Sequence, residues 1–114
     1  RGRPMSAIGT LTPRELATRL AKGERFVLVD VREPSELAVA SIPRPEVVAI
    51  PLGELARRVG ELDPAAPTVC VCHHGMRSAR ACSILARAGF TALTNLAGGI
   101  DRWSVEVDPK VPRY

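Results

Sequence analysis

The chain has 114 residues, 46% of them hydrophobic and 25% charged, the balance of one globular domain with one core and not of a disordered tail. No apolar run approaches the roughly 18 residues of a membrane span, and no charged-then-apolar leader opens the sequence, so neither a membrane partner nor secretion is expected. The formal charge of +4 invites a nucleic-acid reading, but Arg1 and Arg3, ahead of Met5, supply half of it. The remaining Arg residues lack interleaved aromatics, so no nucleic-acid partner is expected.

Residues 1–4 read as a cloning scar or the end of a linker, and residues 5–114 as a single domain. Thr12-Pro13-Arg14-Glu15 is a helix start, with a Thr cap, Pro at the first helical position and Glu three residues after Thr. Leu16, Ala17 and Leu20 then share a face, and Gly23 stops the helix. Phe26 to Val31 is β-branched and almost continuously apolar, the pattern of a strand buried on both faces. Glu33 to Leu37 opens a short helix or turn, and the prolines within Ile42 to Pro45 impose a loop. Val47 to Ile50 is a second strand candidate. Leu52, Leu55, Ala56, Val59 and Leu62 recur at helical spacing until Asp63-Pro64 ends them. Thr68 to Cys72 is a third strand, Arg77 to Ala88 a helix closed by Gly89, and Thr91 to Leu96 a weaker strand. Gly98-Gly99 makes a tight turn before a last short helix, Ile100 to Val105, which carries Trp103 as a core or lid anchor. Such alternation argues for a parallel sheet with helices on both faces, whose ligands sit beyond the carboxyl ends of the strands.

Cys70, Cys72 and Cys82 suit neither a disulfide framework nor paired zinc knuckles. Reduced thiols in the cytoplasm are expected. Cys70 lies mid-strand and Cys82 on an apolar helical face, so both read as core. Cys72 differs, because it ends a strand and begins Cys72-His73-His74-Gly75-Met76-Arg77-Ser78, a tight loop running into a helix. Successive N–H groups of such a loop form an anion nest, and the helix N-terminus adds its positive end. Both favour a thiolate, the nucleophilic form. Arg77 adds fixed charge or ties the loop down, and Ser78 is a candidate helix cap. Cys70, Cys72, His73 and His74 crowd four ligands into five residues and do not surround one ion, so no metal is expected. His73 and His74 instead tune access or face a partner. Asp30 and Arg32 fall at the same sheet edge as Cys72 and form either a supporting part of the site or a structural link between loops. Arg80 and Arg87 extend a positive rim or a solvated face.

Cys-x-x-Gly-x-Arg-Ser after an apolar strand resembles the active-site loop of rhodanese sulfurtransferases. Asp30-Val31-Arg32 matches that family's motif after an earlier strand, and Gly98-Gly99-Ile100-Asp101-Arg102-Trp103 matches its closing Gly-Gly-x-x-x-Trp motif. Together the motifs cover about residues 8 to 104 in the family's order, which is specific where each alone is not. The Cys-His-His-Gly form and the Asp-Pro-Lys-Val-Pro-Arg-Tyr tail more narrowly resemble rhodanese domains fused behind E1-like adenylyltransferases of the molybdopterin-synthase sulfurylase kind. One departure is Ser41-Ile42-Pro43-Arg44-Pro45, where many members carry His-Ile-Pro-Gly-Ala. No role for that His carries over.

The resemblance implies a five-stranded, mostly parallel sheet flanked by helices. It also implies sulfur transfer through a Cys72 persulfide, with thiosulfate or another persulfide as the small anionic donor, and no cofactor. A second reading is a docking or relay domain for an E1-like adenylyltransferase and a ubiquitin-like sulfur carrier. A third, a phosphatase or arsenate reductase, is disfavoured because only four residues separate Cys72 from Arg77, one fewer than in related cysteine phosphatases.

Overall fold

The alternation of strand and helix is realised in a computed structural model that describes residues 8–114; the reading of residues 1–4 lies outside them. The elements are β1 (Gly9–Leu11), α1 (Pro13–Ala21), β2 (Val27–Asp30), α2 (Pro34–Val39), β3 (Val47–Ala49), α3 (Leu52–Arg58) with a 3-10 turn (Val59–Glu61), β4 (Thr68–Val71), α4 (Met76–Arg87), β5 (Leu93–Leu96) and α5 (Gly99–Glu106). The five strands form one sheet in the order β1-β5-β4-β2-β3, and every pairing is parallel. Most of the expected elements are present within a residue or two. The exception is β1, three half-exposed edge residues that take strand form by pairing with Thr94 to Leu96. No apolar run marks them, so only the partner strand reveals them.

Local chemistry sets the helix starts. Thr12 and Glu15 form the expected reciprocal box: the Glu15 N–H donates to the Thr12 hydroxyl at 3.1 Å, and the Thr12 N–H to the Glu15 carboxylate at 2.8 Å. Leu16 and Leu20 face inward from α1 and join Leu28, Val69, Val71, Ile100, Trp103 and Val111 in one core layer. Across the sheet, Val29, Val31, Ile50, Cys70, Cys72 and Phe90 pack with Leu55 of α3 and Ala81, Cys82 and Leu85 of α4. Helices therefore cover both faces, and the central strands β2 and β4 between them are largely apolar.

This layering aims the reactive loop. Cys70 on β4 stands in register with Val29 on one side and Asn95 on the other. Side chains alternate along a strand and neighbours in register share a face. Cys70, Cys72 and Asn95 thus all look toward α4, at the carboxyl edge of the sheet.

Candidate active site

Cys72 follows the last residue of β4, is 1% exposed, and begins a turn that reaches α4 in three residues. Gly75 makes that turn possible. Its φ of +108° is left-handed, and a Cβ there would press to 3.3 Å from the Gly98 backbone nitrogen. The turn carries the Gly75 N–H to 3.0 Å from the Cys72 sulfur, as a donor. Among the described residues, no protein group accepts from the N–H groups of His73, His74, Met76, Arg77 or Ser78. The loop is thus rich in free donors where α4 begins, with no acidic residue in that helix's first turn.

Ser78 corrects the sequence reading. Gly75, not Ser78, is the cap of α4, because the left-handed glycine lets the helix start at Met76. Ser78 is the third residue of the helix, fully buried, with its hydroxyl 3.2 Å from the Cys72 sulfur and 2.5 Å from Asn95 Oδ1. Asn95 Nδ2 donates to the Gly75 carbonyl at 3.1 Å. No motif in the chain marks Asn95. Its one signal was a lone amide within the apolar strand Leu93-Thr94-Asn95-Leu96.

The Gly98-Gly99 turn supports the loop from behind. The Ile100 and Asp101 N–H groups at the start of α5 donate to the carbonyls of Cys72 (2.8 Å) and His73 (3.1 Å). A Cβ on Gly99 would collide with those same carbonyls. This fixes both peptide planes, and hence the direction of the thiol. Deeper beneath α4 on the same face, hydrogen bonding with the Cys82 thiol and burial push Cys70 up from the ordinary thiol range, so Cys70 stays protonated in the core.

Arg77 takes one of its two expected roles. It ties the loop to α2, donating to both Glu36 carboxylate oxygens at 2.7 and 2.9 Å. That pairing holds the Glu36 carboxyl down at about 2. Asp30 and Arg32 turn toward each other and not toward Cys72. Both are buried, and the guanidinium meets the carboxylate at 2.9 and 2.8 Å while capping the Ala40 carbonyl at 2.9 Å. Its remaining nitrogen donates to the Tyr114 hydroxyl at 2.8 Å, and that hydroxyl donates to Glu36 at 2.9 Å. This is the structural link between loops.

Met76 is exposed, whereas the His73 ring is stacked between His74 and Tyr114, each with ring centres 3.8 Å away. Burial and the neighbouring His74 push His73 down from the ordinary imidazole value. His73, His74 and Asp101 bring ligand atoms within 4.8 Å of one another. Both Asp101 oxygens are nevertheless occupied by Arg113, at 2.8 and 3.1 Å. Glu36 and Tyr114, like Asn95, were not foreseen, because residues 41 and 78 positions distant in sequence give no local sign of meeting. Arg80 and Arg87 are exposed. Two surface hollows, about 330 and 430 Å³, lie along α1 and beside Pro45-Glu46, away from the sulfur.

The family model for the rhodanese-like domain matches residues 12–106. A putative sulfurtransferase of Bacillus subtilis, YtwF, is 35% identical over 83% of this chain and 89% of its own length. A probable adenylyltransferase/sulfurtransferase of Mycobacterium tuberculosis, MoeZ, is 32% identical over 92% of this chain, which spans only 27% of that protein. The crystal structure of a rhodanese-related protein from Thermoplasma volcanium superposes with a TM-score of 0.77 at 29% identity, covering 93% of this chain and 99% of that one.

Proposed function

The chain belongs to the rhodanese-like family, and on that premise we propose that it transfers a sulfane sulfur through a persulfide on Cys72. The observation that carries this reading is the Gly75 N–H donating to the Cys72 sulfur at the mouth of α4. The Cys72 thiolate attacks the outer sulfur of thiosulfate or of a persulfide donor. A new S–S bond forms, the donor's own S–S bond breaks, and sulfite (or the donor thiolate) leaves with the electron pair. The outer sulfur of the Cys72 persulfide then carries the negative charge, to which the free loop N–H groups and the start of α4 are favourable. A nucleophilic acceptor, such as a thiolate, attacks that sulfur and regenerates the Cys72 thiolate. No net oxidation occurs, and the covalent intermediate requires ping-pong kinetics. The cytoplasm is the compartment this reduced thiol chemistry fits.

Treatment with thiosulfate is expected to add the mass of one sulfur atom to the peptide containing Cys72. Cys72→Ala is expected to abolish both that adduct and sulfur transfer to cyanide. Full transfer by Cys72→Ala ends the proposal.

Similarity to MoeZ, and to a putative sulfur carrier protein of Bacillus subtilis at 32% identity, supports a second form of the same chemistry. There the acceptor is a ubiquitin-like sulfur carrier presented by an E1-like adenylyltransferase. Turnover that requires such a carrier, with negligible transfer to cyanide, marks this form. Phosphoryl chemistry fits poorly, because Arg77 is already held by both Glu36 oxygens and is not free to grip a phosphate.

A further inference from the structure

We propose that Asn95 is a positioning residue that sets the direction of the Ser78 hydroxyl according to the charge on Cys72. A serine hydroxyl owns one proton, and here it has two neighbours that can accept it: Asn95 Oδ1 at 2.5 Å and the Cys72 sulfur at 3.2 Å. The orientation of Asn95 is fixed from its other end. Its Nδ2 must face the Gly75 carbonyl, which can only accept, so Oδ1 is the atom turned to Ser78. While Cys72 carries its proton, the chain of donors runs from the Cys72 thiol to Ser78, and from Ser78 to Asn95. Once Cys72 is a thiolate, a serine lone pair would face an anion. The hydroxyl then rotates to donate to sulfur and leaves Asn95. When Cys72 becomes a persulfide, the negative charge moves to the outer sulfur, and the hydroxyl returns to Asn95.

Asn95 also places the competing donor. The same amide that draws the Ser78 proton holds the carbonyl of Gly75, the residue whose N–H meets the sulfur at 3.0 Å. Both partners of Asn95 therefore touch Cys72, although Asn95 itself sits on the neighbouring strand in register with Cys70. This inference rests on the sulfur-transfer reading only for its role in the cycle, because the switching itself requires only that Cys72 ionise.

The test is a double-mutant cycle in the full chain, with Asn95→Ala and Ser78→Ala alone and together. It reads the rate of Cys72 alkylation by iodoacetamide at one fixed pH, with peptide mapping to separate Cys72 from Cys70 and Cys82. Loosening of Gly75 is common to both Asn95 variants and cancels in the cycle. What remains is the Ser78–Asn95 hydrogen bond, which ionisation of Cys72 must break in the wild type and which Asn95→Ala removes. The substitution is expected to be more favourable to alkylation, by about tenfold, when Ser78 is present than when it is absent, the scale of a hydrogen bond to a charged group. A ratio below about twofold, or one in the opposite direction, overturns the proposal. Asn95→Val, which suits a strand, replaces Asn95→Ala should the latter fail to fold. Alkylation needs no sulfur donor, so the two readings fail separately. Absence of a persulfide with the coupling intact sinks only the sulfur-transfer reading, and a persulfide without the coupling sinks only this one.

Discussion

Two junctions stand side by side at the carboxyl edge of the sheet, one after β2 and one after β4, and they put charge to opposite uses. After β2, Asp30 and Arg32 are sealed in: the Asp30 carboxylate receives the guanidinium through two nitrogens, and the rest of Arg32 goes to Ala40, Glu36 and Tyr114. After β4, the loop leaves its N–H groups unclaimed and sends one to a sulfur. Both segments follow a buried central strand and lead into a helix with proline or glycine at its start. The difference lies in where the polar groups end. A junction whose donors and acceptors are all matched internally is a brace, whereas one with surplus donors is ready for an anion.

The largest expected effect comes from breaking the brace. Asp30→Ala leaves the Arg32 charge buried without its partner, and a loss of about 3–5 kcal/mol is expected in denaturant unfolding. Cys72→Ala, at the neighbouring strand end, removes a small side chain and is expected to cost less than about 2 kcal/mol while abolishing transfer. Equal destabilisation by the two would dissolve the distinction between brace and site.

Gly99→Ala comes next, and links the two behaviours. A left-handed alanine costs roughly 1–2 kcal/mol, and its Cβ must push against the Cys72 and His73 carbonyls. We expect transfer to fall by about tenfold or more, since a small displacement of a catalytic group is enough for that. The loss is expected in kcat as well as in unfolding free energy. Wild-type kcat in this variant would show that the α5 N-terminus does not orient the loop.

Glu36→Gln has the smallest effect, about 0.5–1 kcal/mol near neutral pH, because the Arg77–Glu36 pair is partly exposed to solvent. Its pH dependence has a definite sign. The folded protein holds the Glu36 carboxyl at about 2, below the ordinary 4.5, so the unfolded chain takes up that proton first as pH falls. The stabilisation is whole above about pH 4.5 and is lost as pH drops toward 2. Melting curves across that window should show a shallower acid decline in Glu36→Gln than in the wild type. Parallel curves would mean that the tie to α2 contributes nothing.

Much of this was legible in the chain. The box at Thr12 and Glu15, the apolar run at Phe26 to Val31, and the glycine between Cys72 and the next helix are local signals, because each is written in residues adjacent or nearly adjacent along the chain. β1 was not legible, since Gly9 to Leu11 become a strand only through Thr94 to Leu96. Ser78 was assigned to the wrong position in its helix for a similar reason. The φ of Gly75 determines where α4 begins, and a serine near a helix start reads as its cap until that angle is known.

The sequence by itself determined the parallel α/β class and the tight loop after β4, and it marked Cys72, at the strand end, as the candidate over Cys70 and Cys82. Each rests on periodicity or on neighbours along the chain. Only the tertiary structure decided which charges are consumed and which donors stay open. Glu36 lies 41 residues from Arg77, Tyr114 lies 82 from Arg32, and Asn95 lies 17 from Ser78. Hydrogen bonds act over about 3 Å irrespective of sequence separation. Whether a polar group is satisfied is therefore a property of the packed sheet edge, and no stretch of the chain contains it.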